Sequence, residues 1–289
     1  MALVDDLLAR CTFPEAGTEV SCAVSGGADS TALLVLACAA GCRPTAVHVD
    51  HGLREGSGAE AEVVAALAAA LGAGFRSEQV EVDAGPNLEA RARQARYAAL
   101  PDDVLTGHTA DDQAETVLHN RMRGAALDGL AGMRRDRRPL LSLRRRETVA
   151  LCAELGLDTV EDPSNSDPSF RRNRVRHELI PLLDDIAGRD VAAILARQAD
   201  LVREGADHVA AAAAAIDAAD ARAVADAPVP LARVAVRRWI AAETDLDHPI
   251  DAAAVGRVLA VARFEARAAD VAEGWRVERT GGRMRLGRG

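Results

Sequence analysis

A chain of 289 residues is long for one compact domain and fits two, and 49% hydrophobic with 27% charged residues excludes global disorder. The formal charge of -9 argues against indiscriminate nucleic-acid binding, although it is compatible with a local basic face. Asp5 and Asp6 stand where a signal peptide needs positive charge, and uncharged runs such as 30–42 and 63–75 are too short to cross a bilayer, so a cytoplasmic protein without a membrane partner is expected.

Residues 20–24 are apolar and β-branched enough for a buried strand, and the apolar run after Asp29 reads as a helix. Between them lies Ser25-Gly26-Gly27-Ala28-Asp29-Ser30, a strand-to-helix turn made tight by glycine. Backbone N–H groups at such a turn, backed by the positive end of the helix dipole, suit phosphate, and the Ser25 and Ser30 hydroxyls add donors. Asp29 makes sense beside phosphates where it holds a divalent cation bridging them. The lysine-bearing Walker pattern is absent. The segment resembles instead the Ser-Gly-Gly-x-Asp-Ser loop of the ATP pyrophosphatases, the PP-loop superfamily, which cleave ATP between the α and β phosphates and pass AMP to a substrate oxygen.

Further on, strands are expected at 45–50, 75–82 and 104–107, and helices at 58–71, 87–100 and 110–123, with Asn87 as an N-cap and Glu89 in the first turn. This alternation calls for an α/β fold, a parallel sheet with helices on both faces, whose ligands bind beyond the carboxyl ends of the strands. The informative residues fall at those ends. His48-Val49-Asp50-His51-Gly52-Leu53-Arg54 follows the second strand and reads equally as a solvated turn or as part of a site. Gly107-His108-Thr109-Ala110-Asp111-Asp112-Gln113-Ala114-Glu115-Thr116 opens a helix on which Asp112 and Glu115, three apart, share a face. Two carboxylates at a crevice suit a cationic substrate, and one of them is a candidate to take a proton from an attacking amine.

Together, the Ser-Gly-Gly-Ala-Asp-Ser, His-Val-Asp-His-Gly-Leu-Arg and Gly-His-Thr-Ala-Asp-Asp-Gln-Ala-Glu-Thr segments, in this order, resemble the bacterial tRNA(Ile)-lysidine synthetases. The resemblance implies an adenine nucleotide alpha hydrolase-like fold and a defined ligation. ATP adenylates the C2 oxygen of the wobble cytidine in the CAU anticodon of one isoleucine tRNA, and the ε-amine of free L-lysine then displaces AMP. Carried over by motif, Ser25, Gly26, Gly27, Ala28, Asp29, Ser30, His48, Asp50 and Gly107 would hold ATP, with Asp29 on Mg2+; His108, Asp112 and Glu115 would hold lysine.

From 121 to 146, nine arginines stand against two aspartates, a basic stretch that fits either a solvated face or a phosphate-backbone track. Arg121, Arg123, Arg134, Arg135, Arg137 and Arg138 are the expected tRNA contacts within it. A short strand at 139–141 and a helix at 146–155, ended by Gly156, are expected next. A loop at 161–169 then leads into Arg172, Asn173 and Arg176, similar to the Arg-Asn-x-x-Arg segment of the family, which implies active-site roles for Arg172 and Arg176 and tRNA contact for Asn173. With Asp29 and Asp112, the two arginines form the expected catalytic set.

A boundary near Arg189 divides a catalytic domain (1–188) from a smaller, mainly helical tRNA-binding domain (189–289). Helices are expected there at 191–216, 231–242 and 251–263, followed by a hairpin over 275–286. This part resembles the first C-terminal domain of the synthetases, in a short form lacking the last one, and Asp270-Val271-Ala272-Glu273-Gly274 departs from the Leu-Pro-Gly-Gly common in the family. The resemblance leaves a homodimer open. A cytidine thiolase with the same loop would need paired cysteines, and Cys11, Cys22, Cys38, Cys42 and Cys152 include no pair two residues apart. An amidating ligase gives no account of the arginine-rich segments, and a non-catalytic nucleotide sensor gives none of Asp29, Asp112 and Glu115 in one crevice.

Overall fold

The computed structural model describes residues 2–50, 57–80, 91, 95, 97–160, 167–246 and 250–289. His51–Arg54, most of the helix expected over 87–100, and 161–166 lie outside these. The chain divides into two compact units, Met1–Leu201 and Val202–Gly289.

In the first unit, β1 (Glu19–Ala23), β2 (Arg43–Asp50) and β3 (Gly74–Gln79) form a parallel sheet in that order. Leu105 extends it as an isolated parallel bridge to Cys22, with Leu105 N–H donating to the Ser21 carbonyl (2.8 Å) and Ala23 N–H to that of Leu105 (2.9 Å). The strand expected over 104–107 is thus one ladder position long. Successive strand residues point to opposite faces. On one face Cys22 and Ala46 join a core with Leu33, Leu34 and Leu36 of α2 (Ala28–Ala39) and Val64 and Ala68 of α3 (Ser57–Ala70). On the other face Val47 packs with Leu100 and Val104. Residues Ser30 to Ala37 of α2 are all buried, and complete burial of each leucine contributes about 1.5–3 kcal/mol. α1 (Ala2–Leu8) adds Leu7 to the same core.

The strand expected at 139–141 is instead a turn. Pro139 has no N–H for a ladder, and local bonds close the segment, Leu141 N–H to the Arg138 carbonyl (3.2 Å) and Leu143 N–H to that of Leu140 (2.8 Å). Leu140 and Leu141 are buried in that turned form. The helices that matter to the site are α4 (Ala110–Met122), the short α5 (Leu127–Leu130), and α6 (Arg145–Glu154), which ends before Gly156 at φ 62°. α7 (Arg171–Arg174) runs through a π-helical turn (Val175–Leu179) into α8 (Ile180–Ala187).

α9 (Val191–Ala213) contains the division between the units, twelve residues past the boundary expected near Arg189. The second unit packs α10 (Ala221–Asp226), α11 (Val229–Glu243) and α12 (Ala252–Ala262) against an antiparallel sheet of β4 (Ala268–Asp270), β5 (Trp275–Thr280) and β6 (Arg283–Arg288). Its core includes Ile240, Val258, Leu259, Val277 and Met284. The β5–β6 hairpin turns on Gly281 and Gly282, both at positive φ (58° and 83°), as a two-residue turn requires. β4 was not foreseen: three residues of small side chain carry no strand signal. No helix among the described residues is long and apolar enough to cross a membrane.

Candidate active site

Because the strands run parallel, their carboxyl ends share one edge, and Ser25, Asp50 and Gly107 follow three neighbouring chain passes there. The turn after β1 holds itself. Ser30 Oγ donates to the Gly27 carbonyl (2.9 Å) and accepts the Ser25 N–H (3.2 Å), Gly26 sits at φ 85°, and Val160 N–H donates to the Gly26 carbonyl (2.9 Å). Helix α2 starts at Gly27 with no side-chain cap. Its first-turn N–H groups have no intrahelical acceptors, which leaves a site for an anion. His48, 2% exposed, donates from Nδ1 to the Val24 carbonyl (3.0 Å), tying the end of β2 to the start of this turn. Asp50 ends β2. Gly107 comes so close to α2 that a Cβ there would lie 2.6 Å from the Asp29 carbonyl oxygen. Only glycine fits that approach.

α4 begins beside it in the opposite manner. Asp112 Oδ2 accepts the Thr109 N–H (2.9 Å) and the Thr109 hydroxyl (3.0 Å), so the helix start is closed by its own side chain. Oδ1 of Asp112 faces away and meets Arg145 Nη2 and Arg172 Nη2, each at 3.0 Å. Glu115, 1% exposed, accepts Arg172 Nε (2.7 Å) on one oxygen and Arg176 Nε (2.6 Å) on the other. His108 Nδ1 bonds the Thr106 hydroxyl (2.8 Å). Burial alone would raise the Asp112 pKa, but Arg145, His108, Arg172 and the Thr109 N–H hold it well below the usual carboxylate range. A carboxylate held in this state suits cations, and of the two candidates for taking a proton from an amine Asp112 is the weaker base as the arginines stand. Asp29 shifts the other way. Burial dominates and raises it, against the opposing pull of Arg145 and the Thr148 hydroxyl.

One residue that the sequence did not single out connects the two starts. Arg145, the first residue of α6, places Nε on Asp29 (2.8 Å), Nη2 on Asp112 (3.0 Å) and Nη1 near Glu115 (3.8 Å). Asp111 fixes its backbone: the carboxylate accepts the Arg145 N–H (2.7 Å) and a fork from Arg144 Nε and Nη2 (3.0 and 2.8 Å), while Arg144 also pairs with Asp190. Thr148, one turn on, donates to Asp29. For Arg144 and Arg145 the only sequence signal is membership of the basic stretch.

The nine arginines of that stretch differ in setting. Arg144 and Arg145 are inside the crevice; Arg135 is held by Asp200 (2.6 Å) and Ser142 (2.7 Å); Arg121, Arg123, Arg134, Arg137 and Arg146 are exposed, Arg146 against Asp190 (3.3 Å). Arg138 is half-buried and donates to the Arg134 carbonyl (2.9 Å). Asn173, expected to touch tRNA, is buried, and its amide holds the Asp167 carbonyl (2.9 Å). The π-helical turn at Val175–Leu179 begins between Arg172 and Arg176, and both side chains reach Glu115. Cys152 Sγ reaches the Ala28 carbonyl (3.5 Å), and burial first, then Asp29, pushes its thiol up to about 11, so it stays protonated at neutral pH.

Residues 4–183 match the family model described as a PP-loop domain. The fold is similar to that of the U34-tRNA thiolase NcsA from Methanococcus maripaludis with its [4Fe-4S] cluster, at a TM-score of 0.52 and 16% identity over 70% of this chain and 78% of that one. The tRNA(Ile)-lysidine synthase of Mycolicibacterium paratuberculosis is 46% identical over 79% of this chain and 70% of its own. That of Nocardia farcinica is 47% identical over 79% of this chain and 77% of its own. With identity at this level over more than two thirds of both relatives, on a PP-loop domain, the chain belongs to the tRNA(Ile)-lysidine synthase family.

Proposed function

We propose that the chain ligates L-lysine to C2 of the wobble cytidine in the CAU-anticodon isoleucine tRNA, at the expense of ATP, in two steps. In the first, the C2 oxygen attacks the α-phosphorus and pyrophosphate leaves; in the second, the lysine ε-amine attacks C2 and AMP leaves with that oxygen. The observation that carries this reading is the pairing of an uncapped helix start beside Asp29 with the buried Asp112–Glu115 pair, linked by a single guanidinium. One end suits an anion, the other a cation.

In this reading the first-turn N–H groups of α2 and the Ser25 and Ser30 hydroxyls bind the triphosphate, with His48, Asp50 and Gly107 shaping the pocket. No group of three or more metal-donor side chains occurs among the described residues, but magnesium on a triphosphate needs only one or two protein carboxylates. Asp29 fits that demand, and the ion would neutralise charge developing on the phosphate oxygens. Asp112, Glu115 and His108 hold the lysine ammonium, and Arg172 and Arg176 supply positive charge to the transferring phosphate. Exposed Arg121, Arg123, Arg134 and Arg137 bind the tRNA backbone. In the second unit, a tRNA-binding role is supported by β6, where exposed Arg283 and Arg285 flank buried Met284.

The test is incubation with labelled L-lysine, ATP, magnesium and total bacterial tRNA. Label is expected in tRNA, dependent on ATP and accompanied by AMP and pyrophosphate. Release of pyrophosphate with label left entirely in free lysine would direct the reading to another nucleophile.

A further inference from the structure

The charges at the crevice balance. Asp29, Asp112 and Glu115 face Arg145, Arg172 and Arg176, so the carboxylates assigned to lysine already hold guanidinium groups. An incoming ammonium adds a positive charge to a satisfied cluster and must displace one of them. Arg145 is the group built to leave. Its backbone is pinned through Asp111, so the side chain swings from a fixed point, and among the described residues it alone touches both the Asp29 end and the Asp112 end. A guanidinium stays protonated in any of these surroundings, so Arg145 remains a cation wherever it turns.

We propose that Arg145 is a positioning residue that occupies the cation pocket until a polyphosphate arrives beside Asp29, and so couples the two substrate subsites. The inference rests on the assignment of Asp112 and Glu115 to lysine. An anion at the start of α2 attracts the guanidinium, whose reach already includes Asp29. Turning toward the phosphates, Arg145 releases Asp112 Oδ1 and the Glu115 edge for the ammonium. Lysine binding then follows nucleotide binding, and the free amine is not held where no nucleotide is present to activate the cytidine. Coupling of this kind is reciprocal: whatever factor the nucleotide adds to lysine affinity, lysine adds to nucleotide affinity.

Equilibrium binding of labelled L-lysine to the full chain tests this, with and without an α,β-methylene ATP analogue and magnesium. In the wild type the analogue should tighten lysine by about 5- to 150-fold, the usual range of site coupling, and saturating lysine should tighten the analogue by the same factor. In Arg145→Gln the increment should vanish, and lysine should bind the nucleotide-free protein more tightly than it binds the wild type. Arg145→Lys, whose compact ammonium lacks the fork that sets Nε on Asp29 and Nη2 on Asp112, should also lose most of the increment, and serves if the glutamine variant does not fold. An undiminished increment in these variants overturns the proposal. So does an absent increment in the wild type when Asp112→Asn abolishes lysine binding. If Asp112→Asn binds lysine normally, the pocket assignment itself is wrong and the coupling falls with it.

Discussion

Helices α2 and α4 start at the same edge of the sheet, yet one start is open and the other is closed. α2 begins at Gly27 with no side chain over its first N–H groups, whereas at α4 the Asp112 carboxylate folds back onto Thr109. An open start presents the positive end of a dipole, and a closed one spends that end on its own carboxylate and turns the remaining oxygen outward. In the proposed function the same secondary-structure junction thus serves as an anion site once and a cation site once. The electrostatics follow: burial wins at Asp29 and raises its pKa, while guanidinium groups win at Asp112 and lower it.

The sharpest way to break this division is at the open start. Asp29→Ala should reduce tRNA-dependent pyrophosphate release by at least about a hundredfold if Asp29 positions magnesium, a loss of roughly 2.7 kcal/mol of transition-state stabilisation. The fold should persist, because Arg145 keeps Asp112 as a partner and removal of a carboxylate strained by burial relieves a cost. Adenylation at the wild-type rate would take the carboxylate out of the chemistry.

At the closed start, Asp112→Asn and Glu115→Gln keep size and remove charge. Loss of a buried charge-assisted contact costs about 2–5 kcal/mol, or roughly 30- to 5000-fold, and the deficit should fall on transfer to lysine with pyrophosphate release retained. For Glu115, 1% exposed and meeting two arginines, stability should fall as well, by about 3 kcal/mol, readable as a lower urea midpoint. Normal lysine dependence with lost ATP binding would invert the two assignments.

A smaller effect is expected where the two starts are held together. Gly107→Ala puts a methyl group 2.6 Å from the Asp29 carbonyl oxygen, on rigid backbone, and should cost about 1–3 kcal/mol with weaker binding of the ATP analogue. An unchanged melting temperature would mean that the α2 start shifts freely.

The least effect is the pH dependence. Asp111 and Asp112 have folded pKa values below the unfolded value of 3.8, so their contribution is present above that pH and is lost as pH falls through the lower, folded values. Asp29, raised in the fold, contributes with the opposite sign: its effect is favourable below 3.8 and lost as pH rises through the folded value. Melting temperature should therefore decline below about pH 4, and Asp112→Asn should flatten that decline. A variant with the wild-type acid slope would show that Asp112 is not depressed.

Local chemistry explains what could be foreseen. A short, mostly apolar run, two glycines and an apolar helix specify the turn at Ser25–Ser30, and Gly281-Gly282 between alternating residues specifies a hairpin, because backbone sterics and side-chain period act over a few residues. Parallel alternation then puts the strand ends on one edge, which is why Asp29, His48, Gly107 and Asp112 were legible as neighbours. Ion pairing is different. Arg135 was expected on tRNA and is held by Asp200; Asn173 was expected there too and supports Asp167; Arg145 stood unremarked among nine arginines and meets Asp29, 116 residues away. A guanidinium carries the same charge and reach at every position in a basic stretch. Which carboxylate it meets depends on where chain segments far apart in sequence are packed, and that is decided by burial of the leucine cores, with the charges paired afterwards in the geometry the cores leave.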